Sequence, residues 1–167
     1  LYDPSMHHDA CGTGFVAQVD GERSHRIVEL AVEAVINLTH RGAVSADAAS
    51  GDGAGVTIQI PFELLREDVA RFGVELSQRD ELGVAMVFLP QDEVAKTEAR
   101  GVIEEAVKAC GIDVIGWREV PNDPSVLGGL ALESLPGIEQ LLLGRPPGLA
   151  SADCERALYL ARRQSEQ

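Results

Sequence analysis

From Gly83 onward the hydrophobic pattern changes period repeatedly, and that succession limits the possible folds more than any other feature of the chain. Gly83–Leu89 alternates as a strand does, and Gln91–Ala109 carries a helical repeat. Asp113–Glu119 and Ile138–Leu143 read as further strands, and "SADCERALYLARRQ" reads as a final helix with Ser151 as its cap. "PNDPSVLGG" is a turn cluster, a short helix is expected around Leu130–Ser134, and "GRPPG" breaks the chain before the last helix. Strand, long helix, strand, strand, helix is the order of a split βαβ unit lacking its last strand. The chain stops in mid-pattern, so truncation inside a domain is expected.

The first sixty residues have a different grammar. In "SHRIVELAVEAVINLTHRG" the residues Ile27, Leu30, Ala31, Ala34, Val35 and Leu38 recur at steps of three and four, one apolar stripe on a helix. Ser24 is a suitable N-cap, and Gly42 lies where a left-handed residue often ends a helix. "GTGFVAQV" alternates up to the turn signal "DGE" and reads as a strand. "GDGAGVTIQIP" gives a glycine-rich loop, a strand Val56–Ile60 and a stop at Pro61, after which Phe62–Phe72 reads as a helix. A dinucleotide loop opens a helix, whereas this glycine loop leads into a strand, which argues against nucleotide binding. Asp52 is expected to bond the loop's own amides. The whole is an α+β chain, one domain with a possible α/β lobe over 61–167.

With 167 residues, 45% hydrophobic and 25% charged, the chain has the composition of a globular protein with a real core. Its net charge of −13 leaves no basic stripe for phosphates, which excludes nucleic acid as a partner. No apolar run reaches the length of a membrane span. The start, "LYDPSMHHDA", lacks the regions of a secretory signal and the initiator Met, pointing to a fragment or a processed product. Three scattered cysteines without a C-x-x-C pair suit a reducing, cytoplasmic setting. Cys110 and Cys154 fall on apolar helix faces and read as packing residues. His7, His8 and Asp9 are adjacent on a short lead, and no metal site is expected from them. Trp117 reads as core packing whose indole N–H needs a partner.

Cys11 has two readings. It either opens a tightly packed strand with Gly12 and Gly14, or it acts as a nucleophile. A thiol needs a base to become a thiolate near neutral pH. Cutting the bond before Cys11 would free an α-amine beside its own sulfur, with a reference pKa of about 7.7–8.0 that suits a general base. Uncut, that nitrogen is an amide and cannot serve. His40 and Arg41 at a helix C-terminus are favoured there by the helix dipole alone.

Taken together, "CGTGFVAQ", "EAVINLTHRGAVSAD", "GDGAGVTIQIP", "VFLPQDE", "IGWREVPNDPSVLG" and "ERALYLARR" resemble the class II glutamine amidotransferase domain of glutamate synthase large chains over nearly the whole sequence. That resemblance implies an N-terminal-nucleophile hydrolase, an αββα sandwich present here in incomplete form. It implies that Leu1–Ala10 is a propeptide-like lead and that 11–167 is the N-terminal part of the domain. It makes Cys11 the nucleophile and, after cleavage, the bearer of the α-amine base. Arg41 and Gly42 would position that nucleophile or bind substrate, with His40 as support. L-glutamine is the implied substrate, and the ammonia would pass to 2-oxoglutarate for glutamate biosynthesis. FMN and an iron–sulfur cluster are implied for the full-length enzyme, none for this fragment. The implied partners are the remaining synthase domains and a small electron-donating subunit. NADPH, NADH and ferredoxin remain equal as donors. The family's carboxylate clamp, oxyanion hole and amine-gripping Asp come from a later segment, so this fragment by itself is expected to be inactive. A non-catalytic interaction module on the same scaffold, or another class II amidotransferase, remains the alternative.

Overall fold

The computed structural model describes residues 12–42, 47–51 and 53–166, with only the backbone described at position 41. The chain divides into two compact units, one of Leu1–Gln59 with Pro124–Ser134 and one of Ile60–Asp123 with Leu135–Gln167.

The second unit is a three-stranded sheet with helices on both faces. Its elements are α2 (Phe62–Arg71), β1 (Leu82–Leu89), α3 (Glu93–Ala109), β2 (Asp113–Glu119), β3 (Gly137–Gly144) and α5 (Ser151–Ser165). The strand order is β1-β3-β2, and both pairings are antiparallel. β1 and β2 therefore run parallel with β3 between them, the split arrangement of a βαβ unit. Each strand is short, so burial on both faces of β3 supplies the cohesion. Leu141 and Leu143 point to one side and pack with Val107, Ile112, Cys154 and Ala161 of the α3–α5 layer. Leu142 points to the other and packs with Phe62, Leu65, Val69 and Leu82 beneath α2.

A bulge in β2 sets which residues meet which layer. Val114 opposes Leu143 and Gly116 opposes Leu142, leaving Ile115 as the extra residue. Ile115 and Gly116 thus share the α2 face, and the parity of every later residue in β2 is inverted. Trp117 is carried to the α3 face, where its Nε1 donates to Glu104 at 2.9 Å and Arg100 stacks on its ring at 5.3 Å. Arg118 is carried to the α2 face, bonding Asp68 at 2.6 Å and Gln140 at 2.9 Å. Gly116 has to be glycine because the Phe72 ring fills the space of a Cβ.

The first unit holds α1 (His25–Asn37), a 3-10 turn (Thr39–Arg41) and the short α4 (Gly129–Glu133). The expected stripe from Ile27 to Leu38 is the half-buried face of α1, and no residue of that helix is fully buried. Ser24 caps it as expected, its hydroxyl accepting the Arg26 amide at 3.2 Å.

Four expectations are corrected. Neither "GTGFVAQV" nor Val56–Ile60 forms a strand: the described residues there make no ladder. An alternating pattern describes faces, and a strand also needs a neighbour to accept its amides. Phe15 is 94% exposed and Ile58 49%, so these alternations have no covered face among the described residues. Gly42 is not a left-handed cap, since it is extended at φ −90°, because the 3-10 turn has intervened. Left-handed glycines do follow other helices: Gly73 (φ 76°) after α2, and Gly111 (φ 73°), where Gly111 and Ile112 donate to Lys108 and Val107 and close α3. Ser151 is the first residue inside α5 rather than its cap, which is Ala150.

Candidate active site

The residues expected to act on an amide, Cys11, Arg41 and Gly42, all belong to the first unit. Cys11 lies outside the described residues, as do His7, His8, Asp9 and Asp52. Arg41 ends the 3-10 turn that follows α1. The turn is closed on itself: the Thr39 hydroxyl donates to the Ile36 carbonyl at 2.5 Å, and the Gly42 amide donates to the Thr39 carbonyl at 3.2 Å. His40 Nδ1 is 3.0 Å from the Asn37 carbonyl oxygen. The pair Arg41–Gly42 thus stands on a backbone turn seated on the end of α1, with Gly42 exposed.

Five residues on, the chain is tied down by side chains. Asp47 Oδ1 accepts the amides of Ala49 at 3.1 Å and Ser50 at 2.8 Å. Its Oδ2 accepts the Ser50 hydroxyl at 2.6 Å and the Leu130 amide at 3.3 Å. Ser50 Oγ in turn accepts the Ala131 amide at 3.0 Å. Leu130 and Ala131 are in the first turn of α4, whose cap residue, Gly128, has no side chain to offer. Asp47 and Ser50 therefore cap α4 from more than eighty residues away. The Ser50 hydroxyl, the Ser50 amide and the neighbouring amides together hold the Asp47 carboxyl far below the ordinary carboxylate range. A Cβ at Gly128 would come within 2.5 Å of Asp47 Oδ2 and of Ser50 Oγ, so the two loops touch at that position. The sequence carried one half of the signal, since Asp-x-x-Ser is a local capping spacing. It carried nothing to say that the helix being capped lay so far along the chain.

The other two cysteines have different surroundings. Cys110 and Cys154 both belong to the core cluster beneath α3 and α5. Burial, aided by Glu155, pushes the Cys154 thiol up, the opposite of what a nucleophile needs. It lines a cavity of about 140 Å³ beside Leu158 and Arg145. Among the described residues no group of three or more His, Cys, Asp or Glu side chains is placed to hold a metal ion. Nor is any described helix long and apolar enough to cross a membrane.

Comparison with known proteins decides the family. The family model of class II glutamine amidotransferases matches residues 11–167. The chain belongs to the class II glutamine amidotransferases. These are enzymes, and the relatives matched are glutamate synthases. Ferredoxin-dependent glutamate synthase 2 of Synechocystis sp. is 46% identical over 154 residues, covering 92% of this chain and 10% of the relative. The NADPH glutamate synthase large chain of Azospirillum brasilense is 37% identical over 167 residues, covering 99% of this chain and 11% of the relative. The NADH glutamate synthase of Saccharomyces cerevisiae is 37% identical over 175 residues, covering 99% and 8%. This amidotransferase chain thus spans about a tenth of the length of these relatives.

Proposed function

We propose that this amidotransferase chain supplies the nucleophile for glutamine hydrolysis in a glutamate synthase. The observation that carries the reading is the family match, which begins at Cys11 itself and leaves Leu1–Ala10 outside. Removal of that lead would free the Cys11 α-amine. The amine takes the thiol proton as sulfur attacks the carboxamide carbon of glutamine. The tetrahedral intermediate collapses as the C–N bond breaks, the amine returns the proton to nitrogen, and ammonia leaves a glutamyl thioester. Water, deprotonated by the same amine, then cleaves the thioester to glutamate and restores the thiol. Arg41 and Gly42 flank the nucleophile in this reading and set its position. The raised pKa of Cys154 and its place in the core support Cys11 over it as the reactive sulfur.

The domain would be the αββα sandwich of N-terminal-nucleophile hydrolases, with 11–167 as its first part. The freed ammonia would be channelled to 2-oxoglutarate in the remaining synthase domains, where FMN and an iron–sulfur cluster would supply the reducing chemistry. We assign no ligand of either group to this chain. A small electron-donating subunit would serve an NADPH-type enzyme, and ferredoxin would replace it in the other type. A reducing compartment, the cytoplasm, suits the three thiols, while relatives from spinach and rice are described as chloroplastic.

The test is made on the complete natural polypeptide. Mass spectrometry should show loss of Leu1–Ala10 and one covalent adduct of diazo-oxo-norleucine on Cys11, abolished by Cys11→Ser. An intact lead with an unlabelled Cys11 would overturn the proposal and leave a non-catalytic interaction module on the same scaffold.

A further inference from the structure

We propose that the outer edge of β1 is a docking site for one further strand of the same polypeptide, a segment C-terminal to α5 that runs antiparallel to β1. The inference rests on the reading of this chain as the opening part of a synthase-length polypeptide, and every residue that carries it lies in the second unit. β1 is an outer strand bonded to β3, and among the described residues no backbone group takes up its outward amides and carbonyls. Its sequence, LGVAMVFL, has no charge and no proline, the devices that keep an open edge from pairing. β2, the other outer strand, has such devices: Asp113, Arg118, Glu119 and the bulge at Ile115. The apolar side chains at the β1 edge are also uncovered. Met86 and Phe88 share the face of Leu82 and Val84, yet the layer beneath α2 takes in only Leu82 and Val84, leaving Met86 50% and Phe88 65% exposed.

The occupant follows from handedness. α3 carries the chain from β1 across β3 to β2, and a crossover between parallel strands is right-handed in about 98% of cases. α5 lies in the same layer as α3, but it leaves β3, which runs opposite to β1. On one face of a sheet, a right-handed crossover from a strand of opposite direction moves the opposite way, toward β1 rather than β2. The place beside β3 on that side is already filled by β1. The next strand parallel to β3 therefore falls on the free edge of β1. Its side chains on the α2 face would be apolar, to cover Met86 and Phe88. The relatives are about ten times as long as this chain, which leaves ample polypeptide to supply the strand. Tethered through α5, that strand pairs intramolecularly, at a far higher effective concentration than any separate chain.

The experiment uses the complete natural polypeptide. In an antiparallel strand every second amide points away from its partner, so residue-resolved hydrogen exchange reads the outer edge separately from the inner one. The outward amides of β1 should exchange at least about a hundredfold slower than in an unstructured peptide of the same sequence. Protection below that level would overturn the proposal. The photo-reactive residue p-benzoylphenylalanine, placed at the exposed position of Phe88, then identifies the occupant. Irradiation should join it to a peptide C-terminal to Gln167 of the same molecule. Links only to a second copy, to a separate subunit or to residues before Gln167 would overturn the proposal, as would no link at all. If that variant does not fold, the same probe at Met86 takes its place. A natural polypeptide ending at Gln167 would overturn the synthase reading and this inference together. An unlabelled Cys11 would overturn the nucleophile assignment and leave the edge of β1 unaffected.

Discussion

Glu139 stands in the middle strand of the sheet with 2% of its surface exposed, among leucines. Burial alone would push its carboxyl up. Arg100, with Nε at 2.9 Å and Nη2 at 2.5 Å, and Lys96 at 3.0 Å outweigh that, and the net shift is downward. A carboxyl whose folded pKa lies below its unfolded value stabilises the fold fully above the unfolded value, near 4.5, and loses that contribution as pH falls through the folded one. Glu139→Gln should therefore cost about 3 kcal/mol at pH 7, because it strands Arg100 and Lys96 against apolar neighbours. The deficit should narrow as pH falls below the unfolded value near 4.5 toward the lower folded value. Urea unfolding at pH 7, 4 and 3 reads both effects, and a deficit as large at pH 3 as at pH 7 would contradict the assignment. A glutamate between Ile138 and Gln140 gives no local sign that it is buried, because the cations that make burial tolerable come from α3.

At the scale of elements, what was legible depended on how far a cause sits from its effect. The apolar stripe of α1, its Ser24 cap, and the strands and helices from Phe62 onward follow from spacing within the segment. Their observed bounds differ from the expected ones by a residue or two. The end of α1 was misread because Gly42 has the right identity for a helix stop, while a 3-10 turn closed by Thr39 had already ended the helix. Gly111 has the same identity and does the work. The caps give a direct comparison. Asp92 accepts the Ala95 amide at 2.9 Å, and Ser24 accepts the Arg26 amide at 3.2 Å, whereas no side chain caps α5. Asp92→Ala and Ser24→Ala should each lower stability by about 1 kcal/mol, and Ser151→Ala should change it by less than about 0.5 kcal/mol. Thermal melts of the three variants check the ranking. The cap on α4 could not be ranked from sequence at all, since its donors and acceptors are more than eighty residues apart.

For the whole molecule, the two units differ in how their extended segments are satisfied. Every strand of the second unit lies in one sheet, with β3 bonded on both sides. The stretches 12–18 and 54–59 of the first unit have alternating apolar residues and no ladder among the described residues. Amide exchange should mirror this: the β3 amides, Leu141 and Leu142 above all, should be the slowest, and those of Val56–Ile60 should exchange by local opening, faster by orders of magnitude. Comparable protection in the two stretches would mean that Val56–Ile60 has found a strand partner in solution. The candidate site shares this divide. The residue proposed as its nucleophile, Cys11, lies outside the described residues, and its local pattern alone left two readings open.

The place of β3 in the sheet has a consequence for synthesis on the ribosome. β1 and β2 are translated first and have no partner in each other, being one strand's width too far apart. No part of the sheet can close until β3 begins to clear the exit tunnel at Gly137, and then both seams can zip along the same template toward Gly144. Until that moment the nascent lobe is two hairpin halves in waiting, and a pause in translation shortly before residue 137 would hold it open to chaperones.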